Sequence, residues 1–282
     1  MSRRWRTIER DLRATVGPHI AGVDEVGRGP LAGPVVACAV VMPPDLRALP
    51  GVDDSKRLPP AERERLARLV LRRALAVGVG AASVREIDRV NIYHATVIAM
   101  RRALARLRIA PHHVLVDGKA IRTLTVPHTA IVGGDACCYS IACASIVAKV
   151  TRDRLMHALA RRHPDYAWER NVGYGTLAHL EGIARAGLTP HHRRSFVPVR
   201  QLALALDAPL AQAAADPAAL ARAMASSDAS LEGSLDGLES LAADLDASPG
   251  LLEPGMPGMA TLVCGSEADR PNDPPPDAGE GV

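Results

Sequence analysis

The chain has 282 residues, 48% hydrophobic and 23% charged, which is long enough for one sizeable core. No apolar run approaches the roughly 18 to 20 residues that span a bilayer, the Arg-rich start lacks the apolar stretch of a secretory signal, and no CxxC pair suggests a zinc ribbon or disulfide framework, so a soluble protein of the reducing cytoplasm is expected. Residues 1–200 hold 32 Lys and Arg against 17 Asp and Glu, net +15, and the remainder 2 against 14, net −12; a basic body suits a polyanion, but with aromatics at 2% the contact should run through backbone charge rather than base stacking.

Residues 1–18 form a basic leader (Arg3, Arg4, Arg6, Arg10, Arg13) to which the pattern assigns no element. From His19 the chain reads as strands: HIAGVDE (19–25) and GPVVACAVVM (33–42), around the turn Gly27-Arg28-Gly29-Pro30. Residues 60–75 place Leu66, Leu69, Val70 and Ala74 on one face of an amphipathic helix. A third strand follows at 76–83, a second helix at 91–108, and short buried strands at 112–118 and 129–135. Residues 140–163 read as a long helix whose basic end suits the helix dipole. Together these predict one α/β domain over 19–206, a mixed β-sheet flanked by helices with a C-terminal helical segment. Residues 207–282 turn to Ala, Asp, Ser, Pro and Gly without aromatics, an acidic tail expected to be disordered, with at most transient helix at 208–225.

Asp24 and Glu25 end the first apolar strand, Asp117 ends another, and Asp135 follows a third after Gly133-Gly134. An isolated Asp-Gly is an ordinary turn former. Four acids after three apolar strands, in an otherwise basic body, fit the edge of an α/β sheet where strand ends converge on a ligand. Four ionised carboxylates cannot share such an edge without protons or cations. Oxygen-only donors select Mg²⁺ or Mn²⁺, and these metals with surrounding Lys and Arg suit phosphoryl transfer, the chemistry of a metal-dependent nuclease.

VDEVGRGPLAGPVV (23–36), DDSKRL (53–58), VDGK (116–119), GGD (133–135), ASIVAKVTRDR (144–154), GYGT (173–176) and HHRRSF (191–196) resemble, in order, bacterial ribonuclease HII, a type 2 ribonuclease H. The resemblance implies an RNase H-like fold and an endoribonuclease, using Mn²⁺ or Mg²⁺, that cuts the RNA strand of RNA/DNA hybrids and single ribonucleotides in duplex DNA, leaving 5′-phosphate and 3′-OH ends. It implies a part in ribonucleotide excision and DNA replication and repair, and a monomer without membrane association. It makes Asp24, Glu25, Asp117 and Asp135 the catalytic metal ligands. Gly27, Arg28 and Gly29 become the loop whose backbone reads the ribose 2′-OH, with Tyr174 on the same sugar, and Lys56 lies near the scissile phosphate. A related group, ribonuclease HIII, carries an extra N-terminal domain that an 18-residue leader is too short to supply.

Several of these residues also have plainer readings. The 27–30 segment is equally a strand-to-strand turn, Tyr174 a loop aromatic in the core, and DSK a polar cap before a helix. Asp153 is expected to pair locally with Arg152 or Arg154, outside the ligand set. Lys149 is open between a structural role and a phosphate contact. His191, His192, Arg193 and Arg194 are open between a solvated basic face and DNA-backbone binding, and Cys137-Cys138 reads as small apolar filler. A hybrid-binding module without catalysis would need a broken carboxylate set, and the GRG and GYGT segments argue against a nuclease acting on DNA alone.

Overall fold

The computed structural model describes Trp5, residues 7–207 and residues 261–263. In chain order it forms α1 (Thr7–Val16), β1 (Ile20–Val26), β2 (Val35–Val41), α2 (Pro60–Arg73), β3 (Ala76–Ala82), α3 (Val84–Ala105), β4 (His113–Asp117) and β5 (His128–Val132). There follow α4 (Gly134–Cys137), α5 (Tyr139–Arg162), α6 (Trp168–Asn171), α7 (Leu177–Ala186), α8 (Val197–Asp207) and β6 (Thr261–Val263). One mixed sheet carries the strands in the order β3-β2-β1-β4-β5-β6. β1, β2 and β3 form an antiparallel meander, while β4, β5 and β6 run parallel to β1. The α/β architecture read from the sequence is therefore the observed one.

Alternation along the central strands builds a layer on each face. Ala37, Ala39 and Val41 pack with α3 residues such as Ala99 and Met100. Cys38, Val40 and Met42 face the other way, onto α5 and onto Leu66 and Val70 of α2. Both faces are covered, which is why the strands read as near-continuous apolar runs. β3 is spared large side chains for a reason of distance: a Cβ on Gly78 or Gly80 would lie 2.0 or 2.1 Å from the carbonyl oxygens of Ala103 and Ala99. The helix α3 thus rests directly on the strand backbone.

Three sequence expectations are corrected. The leader, given no element, contains α1, and its Glu9 is 3% exposed. The Glu9 carboxylate accepts from Ser140 N at 2.7 Å and Ser140 Oγ at 2.8 Å, satisfying donors that the first turn of α5 leaves open. The second helix starts at Val84 rather than Asn91, with a Ser83–Glu86 capping box, and breaks at Asn91 (φ 65°). Asn91 Oδ1 accepts from His94 N at 3.1 Å, so the residue that reads as a helix start is the cap of the second half. Within the tail, Thr261–Val263 forms β6 against Ala130–Val132 of β5. The 208–225 segment and the rest of 208–260 and 264–282, for which disorder is expected, lie outside the described residues.

Candidate active site

Asp24 and Glu25 lie in β1, Asp117 ends β4, and Asp135 opens α4 just beyond β5. Because β1 and β4 run parallel with Val23 opposite Val116, Asp24 and Asp117 come side by side at the same edge of the sheet. Gly133, in the left-handed region at φ 70°, turns the chain after β5 and brings Asp135 back to that edge. The Gly134 N–H then donates to Asp117 Oδ1 at 2.7 Å, tying the two segments together. The ladder to β2 continues to Val26, and the turn begins at Gly27.

The four carboxylates feel one another. Burial, then the charges of Glu25 and Asp117, hold the Asp24 carboxyl well above the usual carboxylate range, although Ser145 and the Glu25 N–H donate to it. Burial and Glu25 raise Asp117, and burial, Asp117 and Asp54 raise Asp135. Desolvation pulls the Lys56 ammonium down, but Asp135, Asp54, Asp24 and Asp117 outweigh it and keep it above the ordinary lysine value. The DSK segment therefore belongs to this edge. Its Ser55 hydroxyl lies 2.8 Å from Ser145 Oγ, and Ser145 in turn serves Asp24. Ser145, Ser55 and Asp54 are site residues that the sequence reading did not single out, although all three lie within the DDSKRL and ASIVAKV segments.

Beside the carboxylates stands a wall of loops. Glu25 Oε1 accepts from the Arg28 guanidinium at 3.3 Å. Gly27 has φ +90°, and a Cβ there would meet Arg152 Nε at 2.0 Å; one on Gly29 would meet only Tyr174 Cε1, at 3.6 Å. The two glycines thus have different reasons: Gly27 makes room for a buried guanidinium, while Gly29 borders the Tyr174 ring. Tyr174 is 46% exposed, which overturns its reading as a core aromatic. Its carbonyl accepts from His179 Nδ1 at 2.8 Å, and His179 Nε2 accepts from Trp168 Nε1 at 2.9 Å. Burial lowers the His179 imidazole below its usual value, in keeping with this neutral tautomer.

The basic run 191–194 divides: Arg194 is exposed and His191 half-buried, but the middle of the run is not a solvated face. His192 and Arg193 are buried, at 1% and 0% exposure, and Arg193 donates to the carbonyls of Gly27, Arg28 and Gly33. Asp153 does pair locally, but with Lys149 Nζ at 2.8 Å and Arg63 at 3.6 Å. Arg152 points inward and Arg154 pairs with Glu64. Lys149 is thereby a partner of Asp153, and Cys138 is buried against Ile141 and Leu115 as apolar filler.

A model of the family described as Ribonuclease HII matches residues 21–199. The chain belongs to the ribonuclease HII family. A ribonuclease HII of Thermosynechococcus vestitus is 58% identical over 181 residues, 64% of this chain and 84% of that protein. The crystal structure of ribonuclease H2 from Pyrococcus horikoshii OT3 superposes with a TM-score of 0.59 at 28% identity, over 68% of this chain and all of that one. A Bst ribonuclease HIII in complex with Mn²⁺, 18% identical and covering 72% of this chain and 74% of its own, shares the fold (TM-score 0.52). As a ribonuclease HII, the protein is a metal-dependent ribonuclease H. The sheet edge fits that chemistry by donor type, all oxygen, and by a mutual repulsion that a divalent cation would relieve. Among the described residues no three His, Cys, Asp or Glu side chains are yet gathered tightly enough to enclose an ion.

Proposed function

We propose that the protein is an endoribonuclease that cuts the RNA strand of RNA/DNA hybrids and cleaves at single ribonucleotides in duplex DNA, leaving 5′-phosphate and 3′-OH ends. The observation that carries the reading is the sheet edge itself: Asp24, Glu25, Asp117 and Asp135 within reach of one another's charge on one side, Gly29 bordering the exposed Tyr174 ring on the other. The four carboxylates would hold two divalent cations, Mg²⁺ or Mn²⁺, which when bound supply an activated water and charge relief at the departing oxygen. Lys56, held protonated by those carboxylates, adds positive charge where a phosphate would approach. Ser145 and the Gly134 N–H fix the orientation of Asp24 and Asp117.

Gly27, Arg28, Gly29 and Tyr174 supply the sugar test, because the 2′-OH alone separates a ribose from a deoxyribose and the loop presents main-chain groups to it. The basic body supplies affinity for the phosphates of either strand. We read the catalytic unit as residues 19–206, a cytoplasmic monomer acting on nucleic acid; no helix among the described residues is long and apolar enough to cross a membrane.

Cleavage of three duplexes tests the reading: one with a single ribonucleotide, one long RNA/DNA hybrid, and one all-DNA, each with Mg²⁺ and with Mn²⁺, with product ends mapped. Cleavage of the first two with 3′-OH ends is expected. Cutting of the all-DNA duplex, or 2′,3′-cyclic phosphate ends, would refute it.

A further inference from the structure

A buried arginine is ordinarily matched by a carboxylate. Arg152 of α5 and Arg193, both 0% exposed, are instead matched by main-chain carbonyls. Arg193 donates through Nε to Gly33 O (3.0 Å), through Nη1 to Arg28 O (2.7 Å) and through Nη2 to Gly27 O (2.5 Å). Arg152 donates through Nε to Pro34 O (3.0 Å), through Nη1 to Val172 O (2.9 Å) and through Nη2 to Ala32 O (3.1 Å). Five of these six carbonyls belong to the 27–34 loop. The sixth, Val172, lies in the segment that carries Tyr174, and Gly173 O accepts from Leu31 N and Ala32 N at 2.8 and 3.3 Å. The two arginines therefore fasten both loops to each other and to α5.

Their effect on the loop follows from peptide geometry. Across a trans peptide the C=O of one residue and the N–H of the next lie in one plane and point in opposite directions, and no peptide among the described residues is cis. Drawing the carbonyls of Gly27 and Arg28 inward onto Arg193 turns the N–H groups of Arg28 and Gly29 outward. Neither N–H has an acceptor among the described residues. Gly29 borders the Tyr174 ring, so two unclaimed donors are held beside the one exposed aromatic of the site.

We propose that Arg193, braced by Arg152, is the positioning residue for ribose recognition: it aims the Arg28 and Gly29 amides at the 2′-oxygen of the bound nucleotide. The inference rests on the reading that this loop and Tyr174 sense the 2′-OH. A lysine at either position keeps the charge but has no planar fork to span several carbonyls.

Arg193→Lys and Arg152→Lys are compared with wild type in two assays: metal-free binding of a duplex with one ribonucleotide against the same duplex without it, and single-turnover cleavage. The variants are expected to bind plain duplex as wild type does, to lose the ribonucleotide preference, and to cleave at least about 10-fold more slowly at saturation. A merely structural role would lower melting temperature and leave the preference intact, and that result would overturn the proposal. Should either variant fail to fold, wild-type protein decides: the ¹⁵N resonances of Arg28 and Gly29 should shift with ribonucleotide duplex and stay in place with plain duplex. If those two amides do not respond, the proposal is wrong. A wild type with no ribonucleotide preference at all would defeat the loop reading itself; a preference kept by both lysine variants defeats only the role of the arginines.

Discussion

Two alanine substitutions two residues apart should have opposite consequences. In Gly27→Ala the residue must hold φ +90°, with its new Cβ 2.0 Å from Arg152 Nε and 2.5 Å from Cδ. The left-handed conformation costs about 1–2 kcal/mol, and overpacking adds about 1–3 kcal/mol. Displacing Arg152 strands the carbonyls of Ala32, Pro34 and Val172, each such loss being worth roughly 1–3 kcal/mol when the group stays buried. A total of at least ~3 kcal/mol corresponds to a fall in Tm of roughly 6–12 °C for a domain of this size. Gly29→Ala adds a Cβ at ordinary contact distance, 3.6 Å from Tyr174 Cε1, and should move Tm by no more than ~2–4 °C. It adds bulk on the surface between Gly29 and Tyr174 that is proposed to meet the sugar, so cleavage of a single-ribonucleotide duplex should fall on the order of 10-fold or more while plain-duplex binding persists. Thermal melts and single-turnover cleavage of both variants provide the check. Equal Tm losses, or a fully active Gly29→Ala, would refute the reading that Gly27 acts through the room it leaves for Arg152 and Gly29 through direct contact with substrate.

Asp117→Asn and Asp135→Asn should each lose on the order of 10²-fold or more in turnover at saturating Mg²⁺, whereas Asp153→Asn, which gives up ion pairs to Lys149 and Arg63, should stay active with a loss of about 1 kcal/mol at most. Folding raises the carboxyls of Asp24, Asp117 and Asp135, so the unfolded chain binds fewer protons there; their contribution to stability is present below the ordinary carboxylate value and is lost as pH rises through the raised folded ones. The gain in Tm on adding Mg²⁺ or Mn²⁺ should therefore grow over that window, and a gain independent of pH would count against metal binding by these groups. Glu9→Ala leaves the Ser140 N–H and hydroxyl without their acceptor and should cost about 2 kcal/mol in a denaturant titration. Truncation after Asp207 removes a net −11 from a chain whose first 200 residues carry +15, so plain-duplex binding should tighten at low salt, with the difference vanishing as salt rises; identical binding would make the tail a bystander.

The legible parts of this chain were those with local causes. Apolar runs followed by acids gave β1, β4 and β5 together with Asp24, Asp117 and Asp135, because a strand covered on both faces must be continuously hydrophobic along its buried length, and its acids fall toward the open edge of the sheet. What the sequence concealed has partners far along the chain. Glu9 looks like any acid in a basic leader until Ser140 is placed beside it, 131 positions later. Arg193 looks like part of a solvated charge run because nothing nearby in sequence announces the carbonyls of Gly27 and Arg28 that receive it. Ser145 could not be told from its small neighbours in an apolar helix before its turn was seen to face Asp24. The pairing of β6 was hidden by its brevity, three residues in a compositionally plain stretch.

The helix α5 touches every part of the machinery in succession. Ser140 at its start receives Glu9, Ser145 serves Asp24, and Arg152 holds the loops that carry Gly27 and Tyr174. A helix rises 1.5 Å per residue and resists stretching, so the seven positions from Ser145 to Arg152 make a spacer of about 10 Å. One helix therefore spaces the serine that serves Asp24 from the arginine that holds the loops of Gly27 and Tyr174. Under the proposed reading, the distance from the bond that is cut to the sugar that is read depends on how α5 sits against β1, and a slip of that helix would part Ser145 from Asp24 and Arg152 from both loops at once.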